Sequence, residues 1–141
     1  MLNNETTTKV TVAAVIQKNN KLLISKELPE EDFQEQWKFP SYDVEPWETA
    51  EECLKKELFE DLGIDVESFT VLYSKKFRNK GEAREFIAYV INAYVGSIDL
   101  NEHSDMHWVT YKELSFADFS EHDEAIIALL MKQKTKTDNI Q

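Results

Sequence analysis

With 141 residues, 42% of them hydrophobic, the chain is long enough to close one sizeable core and too short to argue for two. A net charge of −11 without a basic patch excludes a nucleic-acid polymer as the expected partner. The longest apolar stretch, Phe86 to Val95, is about half of what a membrane-spanning helix needs, so no membrane association is expected. The N-terminus has neither the basic start nor the apolar stretch of a signal peptide, and Cys53 is the single cysteine. An intrachain disulfide is therefore excluded, and a reduced, cytoplasmic setting is the natural expectation.

After a polar start, the β-branched run Val10 to Gln17 predicts a strand, which Lys18-Asn-Asn-Lys21 turns back into Leu22 to Ser25 as a hairpin. Residues 27–36 are acidic, contain Pro29 and have no sustained apolar period, so they read as an exposed loop. Trp37-Lys-Phe-Pro40 returns the chain to the core. From Thr49 to Leu62 the pattern is helical: Thr49-Ala-Glu-Glu52 offers a capping box, Gly63 ends the helix, and Ala50, Leu54, Leu58 and Leu62 follow one side. Strands are expected over Phe69 to Phe77, Glu85 to Val95 and Met106 to Thr110, with a short helical turn at Tyr111 to Leu114. An amphipathic helix is expected from Asp123 to Met131, with Asp123 suited to its N-cap and Lys132 to Gln141 a frayed tail.

Glu57, Glu60 and Asp61 stand at i, i+3 and i+4 of the first long helix, which places three carboxylates within an arc of roughly 100°. Like charges at this spacing repel by a few tenths of a kcal/mol per pair, and a hard, oxygen-preferring cation reverses the sign. A solvated acidic face is the plain alternative for the helix taken alone.

The segment from Phe39 to Ile64 resembles the Nudix box, written G-x5-E-x7-R-E-U-x-E-E-x-G-U, and matches its frame without a gap. Glu48, Glu57, Leu58, Glu60 and Gly63-Ile64 match the pattern. Tyr42 stands at the glycine, preceded by Ser41; Lys56 replaces the arginine and Asp61 the last glutamate. Asp61 keeps a carboxylate with shorter reach, Lys56 keeps charge without the planar fork, and Tyr42 replaces a residue that permits unusual backbone angles.

The resemblance covers about residues 9–132 of a single domain spanning 1–141. It is closest in character to the branch with MutT and the bacterial CTP pyrophosphohydrolases. It implies an α+β fold: a Nudix-type α/β/α sandwich with a mixed β-sheet. It further implies magnesium, or manganese in its place, held by Glu57, Glu60, Asp61, Glu102 and the Ser41 carbonyl. Glu57 is the first candidate for general base and Glu60 the second; Lys56 would orient a carboxylate and Glu48 tie the loop to the helix. Asp123 lies where the branch reads the base edge, while Trp37 and Phe39, core aromatics by default, are the candidates for contacting the base. The expected reaction is cleavage of a nucleoside triphosphate to monophosphate and pyrophosphate by a monomer or homodimer. An ADP-ribose or nucleotide-sugar hydrolase, or a weakened nucleotide-binding module suggested by Tyr42 and Lys56, are the alternatives.

Overall fold

The computed structural model describes residues 7–27, 36–114 and 119–140, excepting the side chains of 102 and 135–140. In chain order the elements are β1 (Lys9–Val15), β2 (Gln17–Lys18), β3 (Lys21–Glu27), β4 (Gln36–Lys38), β5 (Ser41–Asp43) and α1 (Ala50–Leu62). Then follow β6 (Asp65–Asn79), β7 (Glu82–Val95), a 3-10 turn at Leu100–Glu102, β8 (Met106–Thr110), α2 (Tyr111–Leu114) and α3 (Glu121–Ile140). They form two compact units, one from Met1–Val15 with Ser41–Asp99, the other from Ile16–Pro40 with Leu100–Gln141. Among the described residues no helix is long and apolar enough to cross a membrane.

The first unit is built on a mixed four-stranded sheet in the order β5-β1-β7-β6. β1 runs parallel to β7 from Lys9↔Arg84 to Val15↔Val90 and antiparallel to β5. Residues Val12 to Val15 are all buried, as a strand paired on both edges requires when both its faces are covered. β6 and β7 form a long antiparallel hairpin closed at Lys80 and Gly81, which have φ of 54° and 81°. Positive φ at both central residues matches the right-handed twist of the flanking strands. α1 packs on this sheet through Cys53, Leu54, Leu58 and Leu62.

The second unit centres on β3, which pairs antiparallel with β2, β4 and β8. Leu22, Leu23 and Ile24 are fully buried there. On α3, Ile126 and Leu130 lie one turn apart and are both buried. The α+β class with a mixed sheet is as the resemblance implies.

Four local expectations need correction. The Asn19-Asn20 turn forms, with φ of 53° and 63°, but only Gln17–Lys18 closes it on β3; the long strand ends at Val15 and joins the other sheet. β4 and β5 are short strands that the sequence reading passed over, each only three residues long and defined by its partner. The 65–79 and 82–95 strands extend beyond their expected ends, since cross-strand pairing carries polar residues that periodicity leaves out. α3 starts at Glu121 and continues to Ile140 where a frayed tail was expected, and the added stretch contains no glycine or proline to stop it. Residues 28–35 of the expected acidic loop lie outside the described residues.

Candidate active site

Within the first unit, β5, the following loop and α1 carry the box residues. The helix start is fixed locally. Thr49, at φ −84° and ψ 165°, accepts from the Glu52 N–H at 3.1 Å, and Glu52 Oε1 accepts from the Thr49 N–H at 2.8 Å. This reciprocal pair satisfies two of the donors a helix start leaves open. At the other end Gly63 adopts a left-handed conformation, φ 72°, and its N–H reaches the carbonyls of Leu58 and Phe59.

Burial of Leu54, Leu58 and Leu62 fixes the rotation of α1 and leaves Glu57 and Asp61 half-buried and Glu60 exposed. Glu48, in the loop, accepts from the Glu45 N–H at 3.0 Å through Oε2 and from Lys56 Nζ at 2.8 Å through Oε1. One carboxylate therefore closes its own turn and joins it to the helix. The Glu45 N–H first, and Lys56 after it, hold the Glu48 carboxyl below the usual range, and Glu48 in turn raises Lys56.

Tyr42 does not have the positive φ that would call for glycine; it lies in β5, in register with Val12. Its hydroxyl donates to Asp61 Oδ2 at 2.7 Å. Burial, then this hydrogen bond and the Asp61 and Glu57 charges, push the phenol far up, so it stays protonated and acts as a donor. Ser41 precedes it and is half-buried. The buried Cys53 thiol donates to the Asp43 carbonyl at 3.7 Å and is pushed up to about 12, chiefly by burial, which leaves it a packed thiol and not a nucleophile.

The all-oxygen set of Glu57, Glu60 and Asp61 suits a hard divalent cation, and the nearest helix cation, Lys56, is engaged by Glu48. Among the described residues no three His, Cys, Asp or Glu side chains gather into a preformed metal-holding group. The fit is thus one of donor chemistry and helix face.

The remaining candidates belong to the second unit. Phe39 is buried and stacks with Phe119 at 6.4 Å, and Trp37 meets the same ring edge-on at 6.1 Å, with Lys26 Nζ 4.0 Å above the indole. Asp123 is 94% buried, its relative exposure being 6%. It lies within the first turn of α3, not at the N-cap: Ser120 precedes the helix, accepts from the Asp123 N–H at 3.4 Å and donates to Asp123 Oδ2 at 2.9 Å. The Phe39 N–H also bonds the carboxylate. Glu102 ends the 3-10 turn, and its side chain lies outside the described residues. The sequence reading missed Phe119 and Ser120. A serine three residues before a buried aspartate at a helix start was the available signal for the second.

Burial pushes the Asp123 carboxyl from 3.8 up to about 6, partly offset by Ser120, the Phe39 N–H and Lys38. Between those values the folded chain holds more protons than the unfolded one, so this group's contribution falls as pH rises from about 4 to about 6 and stays low above. The cost is of the order of 3 kcal/mol at neutral pH. Urea unfolding across pH 4 to 7 should show this decline in the wild type and not in Asp123→Asn. Equal pH dependence in both would contradict it.

A NUDIX domain model matches residues 7–130, spanning both units. The chain belongs to the NUDIX family. A Nudix relative, the CTP pyrophosphohydrolase of Escherichia coli (strain K12), is 28% identical over 102 residues, 72% of this chain and 76% of the relative. The 8-oxo-dGTP diphosphatase of Haemophilus influenzae is 26% identical over 126 residues, 88% of this chain and 93% of that one. The solution structure of the Escherichia coli ORF135 protein superposes with a TM-score of 0.74 at 24% identity, covering 90% of this chain and 91% of the other. That likeness carries the Nudix fold.

Proposed function

We propose that this Nudix hydrolase is a divalent-cation-dependent pyrophosphohydrolase that cleaves a nucleoside triphosphate to the monophosphate and pyrophosphate. The observation that carries the reading is the carboxylate face of α1, where exposed Glu60 and half-buried Glu57 and Asp61 stand beside the buried leucine stripe and the Glu48–Lys56 clamp ties the loop to the same helix. The two curated relatives, one named for CTP and one for 8-oxo-dGTP, support a nucleotide substrate.

Magnesium or manganese, when bound, neutralises phosphate charge and lowers the pKa of water. Glu57, Glu60 and Asp61, with the Ser41 carbonyl, would hold it. Glu57 takes the proton of the attacking water as the new P–O bond forms and the anhydride P–O bond breaks, and pyrophosphate leaves. Glu60 is the alternative base. Lys56, through Glu48, keeps the loop seated on the helix.

Asp123 reads the base edge, with half-buried Trp37 as the aromatic contact and buried Phe39 supporting the Asp123 carboxylate through its N–H. An ionised carboxylate can only accept hydrogen bonds, which favours a base with an exocyclic amino group, cytosine or a modified cytosine, over one presenting a carbonyl. The test compares kcat/KM, with magnesium, for CTP, dCTP, their 5-methyl forms, 8-oxo-dGTP and ADP-ribose in wild type and Asp123→Ala. Preference for the cytosine nucleotides, lost in the variant, is expected. Faster turnover of ADP-ribose would overturn the triphosphate assignment, and unchanged ratios in the variant would remove Asp123 from base recognition.

A further inference from the structure

We infer that Tyr42 is a positioning residue whose hydroxyl fixes the orientation in which the Asp61 carboxylate meets a divalent cation. The inference rests on the proposed cation-dependent reading of α1 and adds to it a side chain that the Nudix box does not contain. Two of the three departures from the box, a tyrosine for glycine and an aspartate for glutamate, lie 19 residues apart and meet in one hydrogen bond. At 2.7 Å it has the length of a charge-assisted O–H···O⁻ bond.

The donor is firmly mounted. Tyr42 sits in β5, its neighbours Ser41 and Asp43 pair with Ala13 and Thr11, and Val12 opposite it is fully buried. The acceptor sits on the last turn of α1, which packs on β5. An aspartate on a helix surface ordinarily turns about two side-chain torsions. Here a half-buried phenol, held by the sheet, selects one arrangement. The tyrosine also stands next to Ser41, so the proposed carbonyl donor and the proposed carboxylate donor are linked through adjacent residues of one strand.

Isothermal titration of the full chain with manganese alone, without nucleotide, tests this in wild type, Tyr42→Phe, Asp61→Asn, the double variant and Glu57→Gln/Glu60→Gln. Tyr42→Phe removes one oxygen and is expected to raise Kd for manganese about three- to tenfold. Applied on top of Asp61→Asn it is expected to change nothing further, because the two residues act as one unit. Unchanged or tighter binding in Tyr42→Phe overturns the inference. So does the same weakening in both backgrounds, which would mark a general structural effect. If Glu57→Gln/Glu60→Gln abolishes binding while Tyr42→Phe leaves it intact, this inference falls and the carboxylate reading stands. If wild type shows no saturable binding, or the double glutamine variant keeps it, the carboxylate reading falls and takes this inference with it.

Discussion

Glu57→Gln is expected to lower kcat by roughly 10²- to 10⁴-fold, the range for removing a positioned general base. The amide keeps the shape of the side chain and loses both its charge and its capacity to take a proton. Glu57 is half-buried at the border of the Leu54, Leu58 and Leu62 stripe and the amide fills the same space, so the helix should keep its seat on the sheet and the circular dichroism spectrum should be unchanged. Glu60→Gln, at an exposed position, should likewise cut turnover sharply at ordinary magnesium concentration with little change in melting temperature. Steady-state kinetics at graded magnesium concentrations separates the roles. A lost base lowers kcat at saturating metal, whereas a lost cation donor shifts the magnesium dependence to higher concentration. If both variants turn over like wild type, neither carboxylate serves the reaction.

The second large effect concerns stability. Gly96 follows β7 with φ of 114°, and a Cβ placed there would lie 2.8 Å from the carbonyl oxygen of Gly63 and 3.5 Å from the Ile64 Cα. Both neighbours are backbone atoms at the end of α1 and cannot rotate away. Gly96→Ala therefore combines a backbone conformation that L residues rarely adopt with a steric overlap, and roughly 3 kcal/mol of destabilisation is expected. For a chain of this size that corresponds to a fall in Tm of roughly 10 °C. Gly81→Ala is the control. Its φ of 81° is also positive, but nothing lies within 4 Å of the added methyl, so it should cost clearly less. Equal shifts for the two variants would show that the contact with Gly63 contributes nothing.

What was legible in the sequence is what local chemistry determines. Thr49, Glu52 and Gly63 announce the two ends of α1 because caps act within three or four residues, and the periodicity of Leu54, Leu58 and Leu62 fixes which side carries the carboxylates. β4 and β5 were invisible because three-residue strands are defined by their partners, Lys26 for Trp37 and Val12 for Tyr42. The same limit hid the bond between Tyr42 and Asp61, which exists only after α1 has packed on β5. Asp123 was noticed as a helix-start residue, but its burial and its link to Phe39 depend on chain segments about 80 residues apart.

Neither unit is made of one continuous piece of chain, and this bears on how the molecule comes to be folded. β1 pairs with a strand about 75 residues downstream, from Lys9↔Arg84 onward, and β3 with one about 85 residues away, from Lys21↔Thr110 onward. Among the described residues, the β6–β7 hairpin, the β2–β3 turn and the helices draw mainly on near neighbours, so they are the elements able to form early. On the ribosome, β1 lacks its β7 partner and β3 its β8 partner until those strands emerge. A chain with so many late, distant pairings closes slowly, and during synthesis its apolar first strands are the surfaces that need shielding from other nascent chains.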